Sequence, residues 1–82
     1  MWDQMQISQQ DKRLRHERVK YELRKRQLTF ASLAAEARID RSVFAAVSAT
    51  TKKSKRVAMI IANALETTPA VLWPEIYGGA DD

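Results

Sequence analysis

Apolar residues recur through the middle of the chain with the period of a helix. Phe30, Leu33, Ala34 and Ala37 fall at i, i+3, i+4 and i+7, which lines one face of a helix, and Thr29 before them is a good N-cap. Two helices that cross steeply over a short turn need a small inner side chain where their backbones approach, and Ala34 meets that need. Ile39 then plugs the turn, and Asp40 suits the start of a second helix, where its side chain can cap and its charge meets the positive end of the dipole. Val43, Phe44 and Val47 turn one side of this second helix inward, leaving Arg41, Ser42, Ala45, Ala46, Ala49 and Thr50 on the other. The pattern predicts a helix-turn-helix whose second helix, about residues 41–49, presents an outward face nearly free of bulk. Such a face can enter a major groove and leave room for base edges; an alanine-rich outer face also follows from helix propensity alone.

The flanks extend the helical reading. Residues 11–27 form a first helix with Asp11 as N-cap and Leu14, Val19, Leu23 and Tyr21 as apolar contacts. After a polar stretch over residues 49–54, Ser54 is placed to cap a helix carrying Val57, Ile60, Ile61, Ala64 and Leu65. Thr68-Pro69 reads as an N-cap with proline at the first helical position, opening a short helix through Val71 and Leu72 that Pro74 ends. Trp73 is assigned to the core, and Ile76 and Tyr77 are left between core closure and a dimer contact. Residues 1–10 read as a flexible arm despite Trp2, Met5 and Ile7, residues 11–77 as the domain, and 78–82 as a frayed tail. The only glycines are Gly78 and Gly79, and β-branched alternation is missing. The fold class expected is all-α, with four to five helices.

Charge adds a partner class. With 14 Lys plus Arg against 10 acids, the chain carries +4, a balance that favours a polyanion. Eight of those cations crowd the first helix, where Glu17 and Glu22 can pair with neighbours three or four positions away. Arg24, Lys25 and Arg26 directly precede the motif, and Lys52, Lys53, Lys55 and Arg56 directly follow it. Cations at the start of the fourth helix oppose its dipole, which favours a phosphate role over a purely solvated surface. His16, the only histidine, has no partners at ligand spacing, so it is read as surface or structural. Eighty-two residues support one small core, and no nucleophile–base pair or glycine-rich phosphate loop occurs, so an enzyme is not expected. Without cysteine, neither a disulfide nor a thiolate metal site is available. No apolar run suggests a membrane span or a signal peptide, and a cytoplasmic location follows by default.

The order of elements resembles the Ner-like regulators of transposable bacteriophages and their bacterial relatives, a branch of the lambda-repressor-like fold. The resemblance covers about residues 15–77. It is carried by Leu23-Arg24-Lys25-Arg26 with Leu28-Thr29 and Leu33-Ala34, by residues 60–65 (IIANAL), and by Thr68-Pro69 with Leu72-Trp73-Pro74 and Tyr77. It implies a small repressor, of phage or prophage origin, that occupies operator DNA. Family members usually have glycine in the helix–helix turn, where this chain has Arg38; a non-glycine residue at positive φ costs about 1 kcal/mol, which leaves open whether the turn is reshaped. The lysine-rich stretch 50–54 also replaces a Trp-Pro-rich loop.

The expectation is therefore duplex DNA as partner. Arg41, Ser42, Ala45, Ala46, Ala49 and Thr50 face bases, while Arg24, Lys25, Arg26, Thr29, Lys52, Lys53, Lys55 and Arg56 face phosphates. A homodimer, or two copies on an inverted repeat, fits half-site logic. No metal, cofactor, small-molecule ligand or membrane is expected. The rival is a protein-interaction module, an antirepressor or adaptor, that keeps the fold without base readout; a weaker one is non-specific nucleic-acid binding.

Overall fold

The computed structural model describes residues 9–78; residues 1–8 of the arm, with Trp2, Met5 and Ile7, and most of the tail lie outside them. Among the described residues six helices follow in order: α1 (Gln9–Lys25), α2 (Phe30–Ala37), α3 (Arg41–Ser48), α4 (Lys55–Ala64), α5 (Pro69–Leu72) and α6 (Pro74–Tyr77). No strand occurs among the described residues. The sixth helix arises because Pro74 does two jobs. It stops α5, and its fixed φ suits the first position of a new turn.

Four of the helix starts obey the capping rule. Thr29, Asp40, Ser54 and Thr68 each accept a hydrogen bond from a backbone N–H of the following turn, which satisfies a donor that the helix itself cannot. Thr29 and Ser32 close a reciprocal capping box. Helix ends break the corresponding rule. Gln27, Arg38, Thr50 and Glu66 all stand at φ between 60° and 65°, the left-handed conformation that a helix terminus ordinarily assigns to glycine. At Arg38 the turn is thus kept, not reshaped, and the Ile39 N–H reaches the Ala34 carbonyl at 3.1 Å. Leu28 and Ile39, the residues just past two of these ends, pack on the core, the apolar contact that accompanies such caps.

The core is Val19, Leu23, Phe30, Leu33, Ala34, Phe44, Val47, Val57, Ala58, Ile61, Ala62, Leu65, Leu72 and Trp73. Trp73 is fully buried, and Ile76 and Tyr77 pack against the cluster, so both help close the core.

The first helix departs from expectation. It begins at Gln9, so Asp11 lies in its first turn and is not its N-cap, and Gln9 and Gln10 belong to the helix, not to the arm. Leu14 and Tyr21 are 59% and 57% exposed. At 100° per residue, Leu14 points directly away from Leu23, and Tyr21 points nearly opposite Val19. The inner face instead runs through Arg15, His16, Val19 and Leu23. Arg15, counted among the surface cations, is 8% exposed and grips Glu75 across 60 positions, with Nη1–Oε1 and Nη2–Oε2 at 2.9 and 2.7 Å.

Candidate nucleic-acid interface

Helix α3 is placed by its own ends and its inner face. Asp40 accepts from the Ser42 amide at 2.9 Å and from the Ser42 hydroxyl at 3.0 Å; these bonds, from the backbone first, hold its carboxyl below the usual range. Phe44, Val47 and Ser48 are buried. Arg41 and Ser42 stand exposed, and Ala45 and Ala46 are half-buried. The helix stops at Ser48, so Ala49 is its C-cap and Thr50 the left-handed residue beyond it. Thr50 donates its hydroxyl to the Ala49 carbonyl, and its position past the last turn sets it apart from the outward face.

An open groove of about 640 Å3 lies between α1 and the N-terminal ends of α2 and α3. Its cations are Lys20, Arg24 and Arg41, its hydroxyls Thr29 and Ser42, and its apolar lining Leu23, Phe30, Ala31 and Ala45. No acid lines it. Five residues singled out in the sequence (Arg24, Thr29, Arg41, Ser42 and Ala45) thus meet in one place. Lys20 and Ala31 join them unforeseen. The missing signal was angular: Lys20 is four positions before Arg24, on the same edge of α1, although its chain neighbours suggested only an intrahelical pair with Glu17. That pair exists at 3.3 Å.

Two predicted phosphate contacts are otherwise engaged. Arg26 and Lys25 both turn back to Glu22, at 2.9 and 3.7 Å, and the Arg26 hydrogen bond is the main reason the Glu22 carboxyl titrates low. Exposed pairs of this kind contribute about 1 kcal/mol or less, so a phosphate can displace them. Arg24, Arg41, Lys52, Lys53, Lys55 and Arg56 form no ion pair among the described residues, although Arg41's charge helps lower the Asp40 carboxyl, and all six are exposed. The last four surround the start of α4, where the Ser54 hydroxyl accepts from the Val57 amide at 3.3 Å and the dipole adds to their positive field.

These two sets of cations flank α3 along the chain. Eight helical residues span about 12 Å, close to the roughly 12 Å width of the B-DNA major groove. One set stands at the N-terminal end of α3 and the other follows its C-terminal end in the chain.

The polar contacts behind α3 escaped the sequence reading. Ser48 is fully buried; its hydroxyl lies 2.8 Å from His16 Nδ1, and its carbonyl accepts from Trp73 Nε1 at 3.2 Å. His16 stacks on Phe30 with ring centroids 5.8 Å apart. Burial first, then the Lys20 charge, pushes the histidine's pKa below its ordinary 6.5, with Glu17 opposing. The structural reading of His16 is the one observed. Among the described residues, no group of His, Asp and Glu is arranged to hold a metal, and no helix is long and apolar enough to cross a membrane.

Neither the curated proteins nor the solved structures include a match to this chain. Residues 14–81, which span α1 from Leu14 onward and every later helix, match the family described as winged helix-turn-helix DNA-binding. The wing of that description has no counterpart among the described residues, in which no strand occurs. On this match and the α2–α3 geometry, the chain belongs to the winged helix-turn-helix DNA-binding family.

Proposed function

We propose that this domain is a sequence-specific transcriptional regulator, a phage or prophage repressor of the Ner-like kind, that occupies operator DNA in a bacterial cytoplasm through α3. The observation that carries the reading is a nearly bulk-free outward face on α3 flanked along the chain by exposed cations that form no ion pair among the described residues. Arg41 is the principal reader, because its guanidinium projects from the first turn and can grip a guanine edge with two hydrogen bonds. Ser42 donates its hydroxyl to Asp40, so it reads as an acceptor. Ala45 and Ala46 offer apolar contact to thymine methyls. Arg24, Thr29 and, beside them, Lys20 meet one strand; Lys52, Lys53, Lys55 and Arg56 meet the other.

Selection of bound duplexes from a random library at about physiological salt tests this. Enrichment of one motif is the expected result, and an inverted repeat would add two copies of the chain per site. With four to six phosphates neutralised, log K should fall with log salt at a slope of about −4 to −5 per subunit. Binding without enrichment overturns the sequence-specific reading. No binding at all favours the second reading, an interaction module, for which the exposed Leu14 and Tyr21 on α1 are the supporting observation.

A further inference from the structure

Ser48 occupies an unusual position for a serine. It lies on the inner face of α3, fully buried beside Phe44 and Val47, where an aliphatic side chain would pack without needing a partner. Its hydroxyl meets α1 at His16 Nδ1, and its carbonyl meets the segment between α5 and α6 at Trp73 Nε1. On either side of this contact, Arg15, adjacent to His16, holds Glu75, two positions after Trp73. His16 also stacks on Phe30, the first residue of α2. The first helix, α2 and the segment between α5 and α6 are thus tied to one residue or its immediate neighbours.

Apolar contacts tolerate sliding and rotation; hydrogen bonds do not, since they weaken steeply as the donor angle opens. The Ser48 hydroxyl constrains rotation of α3 about its axis, and the Ser48 carbonyl constrains translation along it. Side-chain tips lie about 5–6 Å from a helix axis, so a 10° rotation moves Arg41's reach by about 1 Å. Productive recognition requires placement within about 0.5 Å. Contacts to phosphates, made by flexible lysines and arginines, absorb that displacement.

We infer that the His16–Ser48–Trp73 junction is a positioning device for base readout: it sets the rotation and depth of α3, and so discriminates among DNA sequences without touching DNA. This rests on the reading of α3 as the recognition helix.

The test uses the motif enriched from the random library and a scrambled duplex of equal length. Ser48→Ala and His16→Ala should each lower the preference for the motif over the scrambled duplex about 5- to 10-fold, within the range that one lost bidentate base contact spans. Affinity for the scrambled duplex and the salt slope should stay unchanged. His16→Asn, which keeps an amide where Nδ1 stands, should restore most of the preference. Circular dichroism verifies that each variant folds; should Ser48→Ala fail to, the His16→Ala and His16→Asn pair, at a half-buried site, decides alone. An unchanged preference in folded variants overturns the inference, as does an equal fall in both affinities. If the wild-type chain enriches no motif, it is the underlying reading of α3 that fails.

Discussion

The α2–α3 pair and the α1–α6 clamp hold the same core by different means. Between α2 and α3, the contacts are apolar side chains at helical spacing, and the polar bonds are caps that reach two or three residues. Among α1, the last residue of α3 and the C-terminal segment, charged and polar groups meet across 60, 32 and 25 positions. In the first region only the Asp40 cap titrates, and with its carboxyl held low by the Ser42 bonds its contribution is lost only as pH falls through that lowered value. The second is built on a carboxylate and an imidazole, and acid should loosen it first. The difference assigns roles: the motif provides a stiff unit, and the clamp determines how that unit sits on the rest of the domain.

The most severe break should come where the clamp enters the core. Trp73 is fully buried and bonded to Ser48, so Trp73→Ala should cost about 3–5 kcal/mol. For a domain of this size that removes most of the stability, and thermal denaturation should show a lost or strongly lowered transition.

Next in size is the Arg15–Glu75 pair. Glu75→Gln leaves a buried guanidinium with a neutral partner and should cost about 1–3 kcal/mol, measured by urea denaturation. The pH dependence follows. Burial raises the Glu75 pKa, but hydrogen bonds from Arg15 and its own backbone, with the charges of Arg15 and Lys12, outweigh it and hold the carboxyl below 4.5. Its contribution is therefore present above 4.5 and is lost as pH falls through the lowered folded value. His16 acts earlier. With its folded pKa below 6.5, the unfolded chain takes up the proton first, and stability falls as pH drops below about 6.5. Acidification should weaken the clamp in two stages, of which His16→Asn removes the first and Glu75→Gln the second.

How much of this was legible follows from range. The faces of α2, α3 and α4, their caps, Pro69 at the start of α5 and the burial of Trp73 all rest on neighbours within a turn or two, so they could be read directly. The inner face of α1 could not, because its apolar set is only Val19 and Leu23. Leu14 and Tyr21 were plausible candidates until Arg15 and His16 claimed the inner side through partners dozens of residues away. The candidate site divides similarly. Arg24, Thr29, Arg41, Ser42 and Ala45, singled out separately as base or phosphate contacts, line one groove, and Lys20 joins them from the same edge of α1 as Arg24.

A smaller effect sharpens the account of the stiff unit. Arg38 holds the helix–helix turn at φ 60° without glycine's freedom. Arg38→Gly relieves about 1–2 kcal/mol of strain and gives back about 0.4–1 through the unfolded chain. Stability should rise by about 0.5–1 kcal/mol, a few degrees in melting temperature for this size. The smallest effect lies on the outer face of α1, where Leu14→Ala should change stability by no more than about 0.5 kcal/mol; a larger loss would restore Leu14 to the packed set.

The measurement that bears most directly on the central claim is the affinity of Arg41→Ala for the enriched duplex, set beside the wild-type chain at matched salt. With α3 as the reader, the loss should be about 1–3 kcal/mol, with relaxed preference at one base pair. Affinity and preference that match the wild type would contradict α3 as the reader and return the chain to a backbone binder or an interaction module.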